Sequence, residues 1–120
     1  MKDLAPHIYR QRIVIEGLFT QRPSEASLSD YIYGLSNVLK MTILFGPIVK
    51  NLTAGTKFNA KHAGLEAVAI WAESGVQVYI WDNASFFTVD IYTCAPFSSE
   101  VAIDYTKTFF KASEIVFKPV

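Results

Sequence analysis

The sequence predicts an α+β fold: a two-layer sandwich in which a mostly antiparallel sheet carries two helices on one face. Three observations lead there. Six stretches read as strands by alternation or short apolar runs, and two repeat apolar residues at helical spacing. Their order is β-α-β-β-β-β-α-β. One internal hairpin then separates its side chains into an apolar set and a mixed set.

The elements follow in order. Residues 8–19 alternate around Ile13 and Ile15 and predict a first strand ending near Thr20. Residues 21–27 are a polar connection, and Ser27 with Asp30 resembles a capping box. Leu28, Tyr31, Ile32, Leu35, Val38 and Leu39 recur at helical spacing, so the first helix buries that face. Residues 41–52 form the second strand, which Gly46-Pro47 bulges or breaks. Residues 53–64 have no strong period and read as the longest loop, a place where binding groups often sit. Residues 65–74, 76–81 and 86–94 are three further strands, with a turn over 82–85. Pro96 and Ser98 precede a second helix with Val101, Tyr105 and Phe109 on one stripe. Residues 113–120 end the chain as an edge strand marked by Pro119.

Composition narrows the function classes. A chain of 120 residues reads as one domain spanning 1–120, and 51% hydrophobic residues supply an ample core. Only 18% are charged, which points to apolar surface covered by another subunit, hence a homo-oligomer. Lys+Arg and Asp+Glu both number 11, so no basic excess favours nucleic acid. One cysteine excludes an internal disulfide and a cysteine-based zinc site, and His7 and His62 are too far apart for a metal motif. No apolar run reaches the ~18–20 residues of a membrane span, and the N-terminal stretch lacks a signal peptide's apolar middle. A cytoplasmic protein without membrane or nucleic-acid partners is expected.

If Asn83-Ala84 close a hairpin, Tyr79 lies opposite Thr88 and Gln77 opposite Asp90. Val76, Val78, Ile80, Phe87, Val89 and Ile91 then share the core face. The other face carries Gln77, Tyr79, Trp81, Phe86, Thr88, Asp90, Tyr92 and Cys94. Polar and aromatic together, it suits a subunit interface or the floor of a ligand site.

Within 64–94, "GLEAVAIWAES", Trp81 and "VDIYTC" stand in order, with Cys94 twenty residues after Ser74. This stretch resembles the core motif of the small prokaryotic S-adenosylmethionine (AdoMet) decarboxylases. The resemblance implies that the Glu73–Ser74 bond cleaves itself as the serine hydroxyl attacks the preceding carbonyl. Ser74 would become a pyruvoyl group, an electron sink once joined to the substrate amine, and Cys94 would donate a proton. Five positions depart from the family pattern. Tyr79 stands for a histidine, Glu66 for Ser or Thr, Gly75 for a histidine, and Asp82-Asn83 for Pro-Glu. A phenol near pKa 10 replaces an imidazole near 6.5 poorly at neutral pH.

Slow or absent self-processing is therefore expected. The favoured activity is a pyruvoyl-free lyase that lets the AdoMet carboxylate displace methylthioadenosine and close to homoserine lactone; its architecture has a general likeness to phage AdoMet-degrading lyases. The alternatives are a self-processing decarboxylase of polyamine biosynthesis and a catalytically silent AdoMet-binding or interaction homologue. Glu66, Ser74, Tyr79 and Cys94 are the catalytic candidates, with Glu66 orienting the amino-acid end. Glu73, Trp81, Asp82, Phe86, Asp90 and Tyr92 are the substrate-binding candidates, carboxylates for the cations and aromatic rings for stacking. No metal is expected, and no cofactor beyond a pyruvoyl group from Ser74 if the decarboxylase reading holds. The partners expected are AdoMet and further copies of the chain, with active sites at their interfaces. The plainer readings stand beside these. Ser74-Gly75 is also ordinary turn sequence, Cys94 a small buried residue, and Tyr79, Trp81 and Tyr92 interface packing. Asp90 could pair across strands with a base, and His62 is a loop residue.

Overall fold

A computed structural model describes residues 1–52 and 63–120. The expected loop over 53–64, with His62, lies almost wholly outside the described residues. The strands are β1 (Gln11–Leu18), β2 (Ile43–Asn51), β3 (Gly64–Trp71), β4 (Ser74–Trp81), β5 (Phe86–Thr93) and β6 (Glu114–Pro119). The helices are α1 (Glu25–Val38) and α2 (Ser99–Phe110). The sheet runs β2-β3-β4-β5-β1-β6, and every neighbouring pair is antiparallel. This is the predicted α+β sandwich. β6 closes one edge, where Pro119 costs the ladder nothing on its open side.

The hairpin register is the predicted one: Tyr79 pairs with Thr88 and Gln77 with Asp90. Its turn is longer than two residues. A 3-10 turn over Asp82–Ala84, finished by Ser85 in the left-handed region at φ 49°, joins Trp81 to Phe86. The six predicted core residues of β4 and β5 are all buried. Leu65, Ala67, Ala69 and Trp71 of β3 and Ile13 and Ile15 of β1 extend the same layer.

Polar anchors fix the helices to that layer. Trp71 Nε1 donates to Ser36 Oγ at 2.7 Å, and Ser36 in turn donates to the Ile32 carbonyl at 2.6 Å. Tyr31 and Thr106 share a buried 2.7 Å hydrogen bond across the α1–α2 seam. Phe110 stacks on Phe87 with centroids 3.9 Å apart.

Several local expectations change. Ser24, not Ser27, caps α1: its Oγ accepts the Ser27 N–H at 3.0 Å. Val38 turns outward at the helix end, and Ser36 takes its place in the core. On α2 the fully buried stripe is Ala102, Thr106 and Phe110, one position past the predicted stripe. Tyr105 and Phe109 flank it half-buried, and Val101 is exposed. The expected irregularity in β2 is present: register shifts fall between Ile43 and Phe45 and between Phe45 and Ile48, around a cis Gly46-Pro47 bond.

Candidate functional site

The β3–β4 connection is a tight hairpin. Trp71 pairs with Ser74, so Ala72 and Glu73 alone form the turn and Ser74 opens β4 instead of ending β3. Gly75 lies within the strand, and the residue with positive φ is Glu73, at 60°. A glutamate in the left-handed region carries strain of about 1–3 kcal/mol. The sequence reading expects glycine to relieve the turn; the chain holds an acid there instead.

Ser74 meets the end of β5. The Cys94 backbone N–H donates to Ser74 Oγ at 3.2 Å, and Cys94 Sγ lies 3.8 Å from the same oxygen. The thiol also donates to Glu73 Oε2 at 3.2 Å. Three predicted site residues therefore form one hydrogen-bonded cluster around the 73–74 peptide bond. Cys94 is half-buried and engaged, not inert core.

Beside Ser74, on the helix-free face, is a hollow of about 470 Å³. That is within the range of small-molecule sites. Gly75 lacks the side chain that would fill it, and Val68, Ile70, Gln77, Asp90 and Tyr92 contribute to its lining. Arg12 joins them from β1, its guanidinium 4.7 Å from the centroid of the Tyr92 ring. Asp90 is flanked by Val14 and Gln77, not by a base, and takes part in no ion pair among the described residues. A cation and an anion thus line one apolar hollow without neutralising each other.

The remaining candidates stand elsewhere. Glu66 pairs with Tyr79 and Lys50 across its two ladders and lines a smaller hollow of about 180 Å³. Tyr79 is five positions along β4 from Ser74, roughly 16 Å at the rise of a strand, and its hydroxyl donates to Gln77 Oε1. Trp81 and Phe86 pair at the far end of the hairpin, where Asp82 accepts from Arg22 Nε at 2.7 Å. One chain therefore gathers Glu73, Ser74 and Cys94, places Asp90 and Tyr92 at the adjacent hollow, and separates Glu66, Tyr79, Trp81, Asp82 and Phe86 from them. Arg12 escapes the sequence reading because β1 reaches β5 only through the sheet order. No group of three or more His, Cys, Asp or Glu among the described residues is placed to hold a metal ion. No helix among them is long and apolar enough to cross a membrane.

The family model described as S-adenosylmethionine decarboxylase matches residues 24–120. The chain belongs to that family. Among curated relatives, an S-adenosylmethionine decarboxylase proenzyme from Pyrobaculum islandicum is 32% identical over 65 residues, covering 53% of this chain and 52% of that protein. An arginine decarboxylase proenzyme from Hyperthermus butylicus is 37% identical over 38 residues, 32% of this chain and 27% of that protein. The matches thus span about half or less of these relatives' lengths. The fold matches the crystal structure of the adenosylmethionine decarboxylase from Aquifex aeolicus with a TM-score of 0.73, covering 94% of this chain and 89% of that one at 17% identity. The AdoMet decarboxylase fold expected from residues 64–94 therefore extends over nearly the whole chain.

Proposed function

We propose that this chain is a proenzyme that cleaves itself between Glu73 and Ser74 and then decarboxylates an amino acid carrying a second positive charge, AdoMet first among them. The cluster of Glu73, Ser74 and Cys94 carries this reading: a hydroxyl, a thiol and a carboxylate meet at the peptide bond that follows a left-handed glutamate, beside a ligand-sized hollow. Relatives named as AdoMet and arginine decarboxylase proenzymes support it over the sulfonium cleavage favoured by sequence alone. Both named substrates pair an α-amino carboxylate with a distal cation.

The residues present fit a pyruvoyl group at position 74, where Cys94 offers both an N–H and a thiol. Such a group supplies a ketone that captures an amine and withdraws the electron pair left as carbon dioxide departs. The chain's own side chains do the rest. The Cys94 thiol holds a proton beside position 74. Asp90 attracts the distal cation and Tyr92 lies along it. Arg12 faces the same hollow as a docking point for an anionic group. Under a covering subunit, the apolar walls of Val68 and Ile70 would exclude water. A second copy of the chain completes the site by covering the helix-free face, where Ile70 and Tyr92 are exposed.

Sulfonium cleavage by an unprocessed chain is the second reading. It draws on Tyr79 and Glu66, which stand at the positions where the family resemblance calls for histidine and Ser or Thr. Product analysis separates the two. The purified protein is incubated with carboxyl-labelled AdoMet and, separately, with arginine. Labelled carbon dioxide supports decarboxylation, while methylthioadenosine with homoserine lactone supports the lyase. Ser74→Ala should abolish the first activity and spare the second.

A further inference from the structure

We propose that Glu73, acting through the Cys94 thiol, is the base that activates Ser74 for cleavage of its own peptide bond. The inference rests on the self-cleavage reading above and names the group that drives it. Three contacts form a directed chain. The Cys94 N–H donates to Ser74 Oγ at 3.2 Å, which engages an oxygen lone pair and leaves the serine hydrogen for Cys94 Sγ, 3.8 Å away. The thiol hydrogen is in turn given to Glu73 Oε2 at 3.2 Å. Ser74 and Cys94 have no other polar side-chain partner among the described residues. Tyr79 is no substitute within the chain. It lies roughly 16 Å along β4, and its hydroxyl is engaged with Gln77.

The proton balance closes. Ser74 gives its hydroxyl proton to Sγ as the thiol gives its own to the Glu73 carboxylate. The freed Oγ electron pair forms a bond to the Glu73 carbonyl carbon. The Glu73 carboxylic acid then returns the proton to the Ser74 nitrogen as the carbon–nitrogen bond breaks. The product is an ester isomer of the chain, formed without loss of atoms and without a co-reactant. The residue whose carbonyl is attacked is held in the left-handed region, a costly conformation for a glutamate. Glu73 thus supplies both the electrophile and the remote base.

The test is a time course of cleavage in the full chain made by cell-free translation, read by gel and intact mass. Glu73→Gln keeps the size of the side chain and removes the base, so cleavage should slow by about a hundredfold or more. Cys94→Ala should slow it comparably, and Cys94→Ser, which still carries a proton, should slow it less. Tyr79→Phe should cleave at the wild-type rate. Formate added to Glu73→Ala should restore several-fold of the lost rate, a gain that a structural role for Glu73 does not provide. A wild-type chain that cuts while Glu73→Gln cuts equally fast overturns the relay alone. Absence of formate rescue, or a Tyr79→Phe loss as large as that of Glu73→Gln, overturns it also. A wild-type chain that never cuts overturns the self-cleavage reading and the relay with it.

Discussion

Asp90 and Arg12 face the same hollow from neighbouring strands without an ion pair between them, and Tyr92 takes the Arg12 guanidinium against its ring. Neither charge is neutralised in advance, so each is available to a ligand of opposite sign. Asp90→Asn removes the negative charge at little change in shape. It should raise KM for AdoMet about tenfold and leave kcat nearly unchanged, the pattern of an interaction made equally in ground and transition states. Steady-state kinetics on the two proteins reads this directly. A matching fall in kcat would instead place Asp90 at the reacting atoms. Glu73 shows how much one residue's backbone matters. It is an exposed turn acid, and at φ 60° its carboxylate accepts from the Cys94 thiol. Sequence offers Glu-Ser as a motif but not this contact, because left-handed backbone is not written in a residue type that ordinarily avoids it.

At the scale of elements, one buried hydrogen bond joins the helix layer to the sheet and another joins the two helices. Ser36→Ala should leave the buried Trp71 Nε1 without its partner and cost about 1–3 kcal/mol in chemical denaturation. The Tyr31–Thr106 bond gives a pH signature. Burial pushes the Tyr31 phenol well above its ordinary range, outweighing the opposing effect of its hydrogen bond to Thr106. The unfolded chain therefore gives up this proton near pH 10 while the folded chain keeps it. With the folded value raised, its stability is fully present below pH ~10 and is lost as pH rises from there toward the folded value. Tyr31→Phe removes that dependence, so its stability gap from wild type should narrow between pH 8 and pH 10.5. The β4–β5 hairpin was legible in sequence because alternation fixes both register and face. The α2 stripe was not: Ala102 and Thr106, two of its three buried residues, are small or polar, so apolar spacing favours Val101, Tyr105 and Phe109 instead. The α1 cap misled for a related reason, since Ser24 and Ser27 both carry hydroxyls and only Ser24 sits where its oxygen receives an N–H.

At the scale of the molecule, helices cover one face of the sheet and leave the other open. Ile70 is 50% exposed and Tyr92 37% exposed on that open face, and Phe45 lies exposed on the edge strand. If a second copy covers the face, sedimentation should give a dimer, and Ile70→Glu should shift it toward monomer by placing a charge in the seam. A monomeric wild type would leave the open sheet unexplained. Order of elements and hairpin register were within reach of the sequence, so the family fold was too. The hollow was not, because it is shared by β1, β3, β4 and β5, and β1 meets β5 only after the whole of α1, β2, β3 and β4 has intervened. Glu66 and Tyr79, close to Ser74 in sequence, stand apart from it in space because the β3–β4 hairpin is extended and they pair five positions along it from the Trp71–Ser74 end. The central claim is that the Glu73–Ser74 bond is a processing site, and intact-mass measurement of the purified protein tests it most directly. Two fragments dividing between residues 73 and 74, the second beginning with a blocked, pyruvoyl-sized group, are expected. A single uncut chain of 120 residues that also stays uncut on prolonged incubation would contradict it.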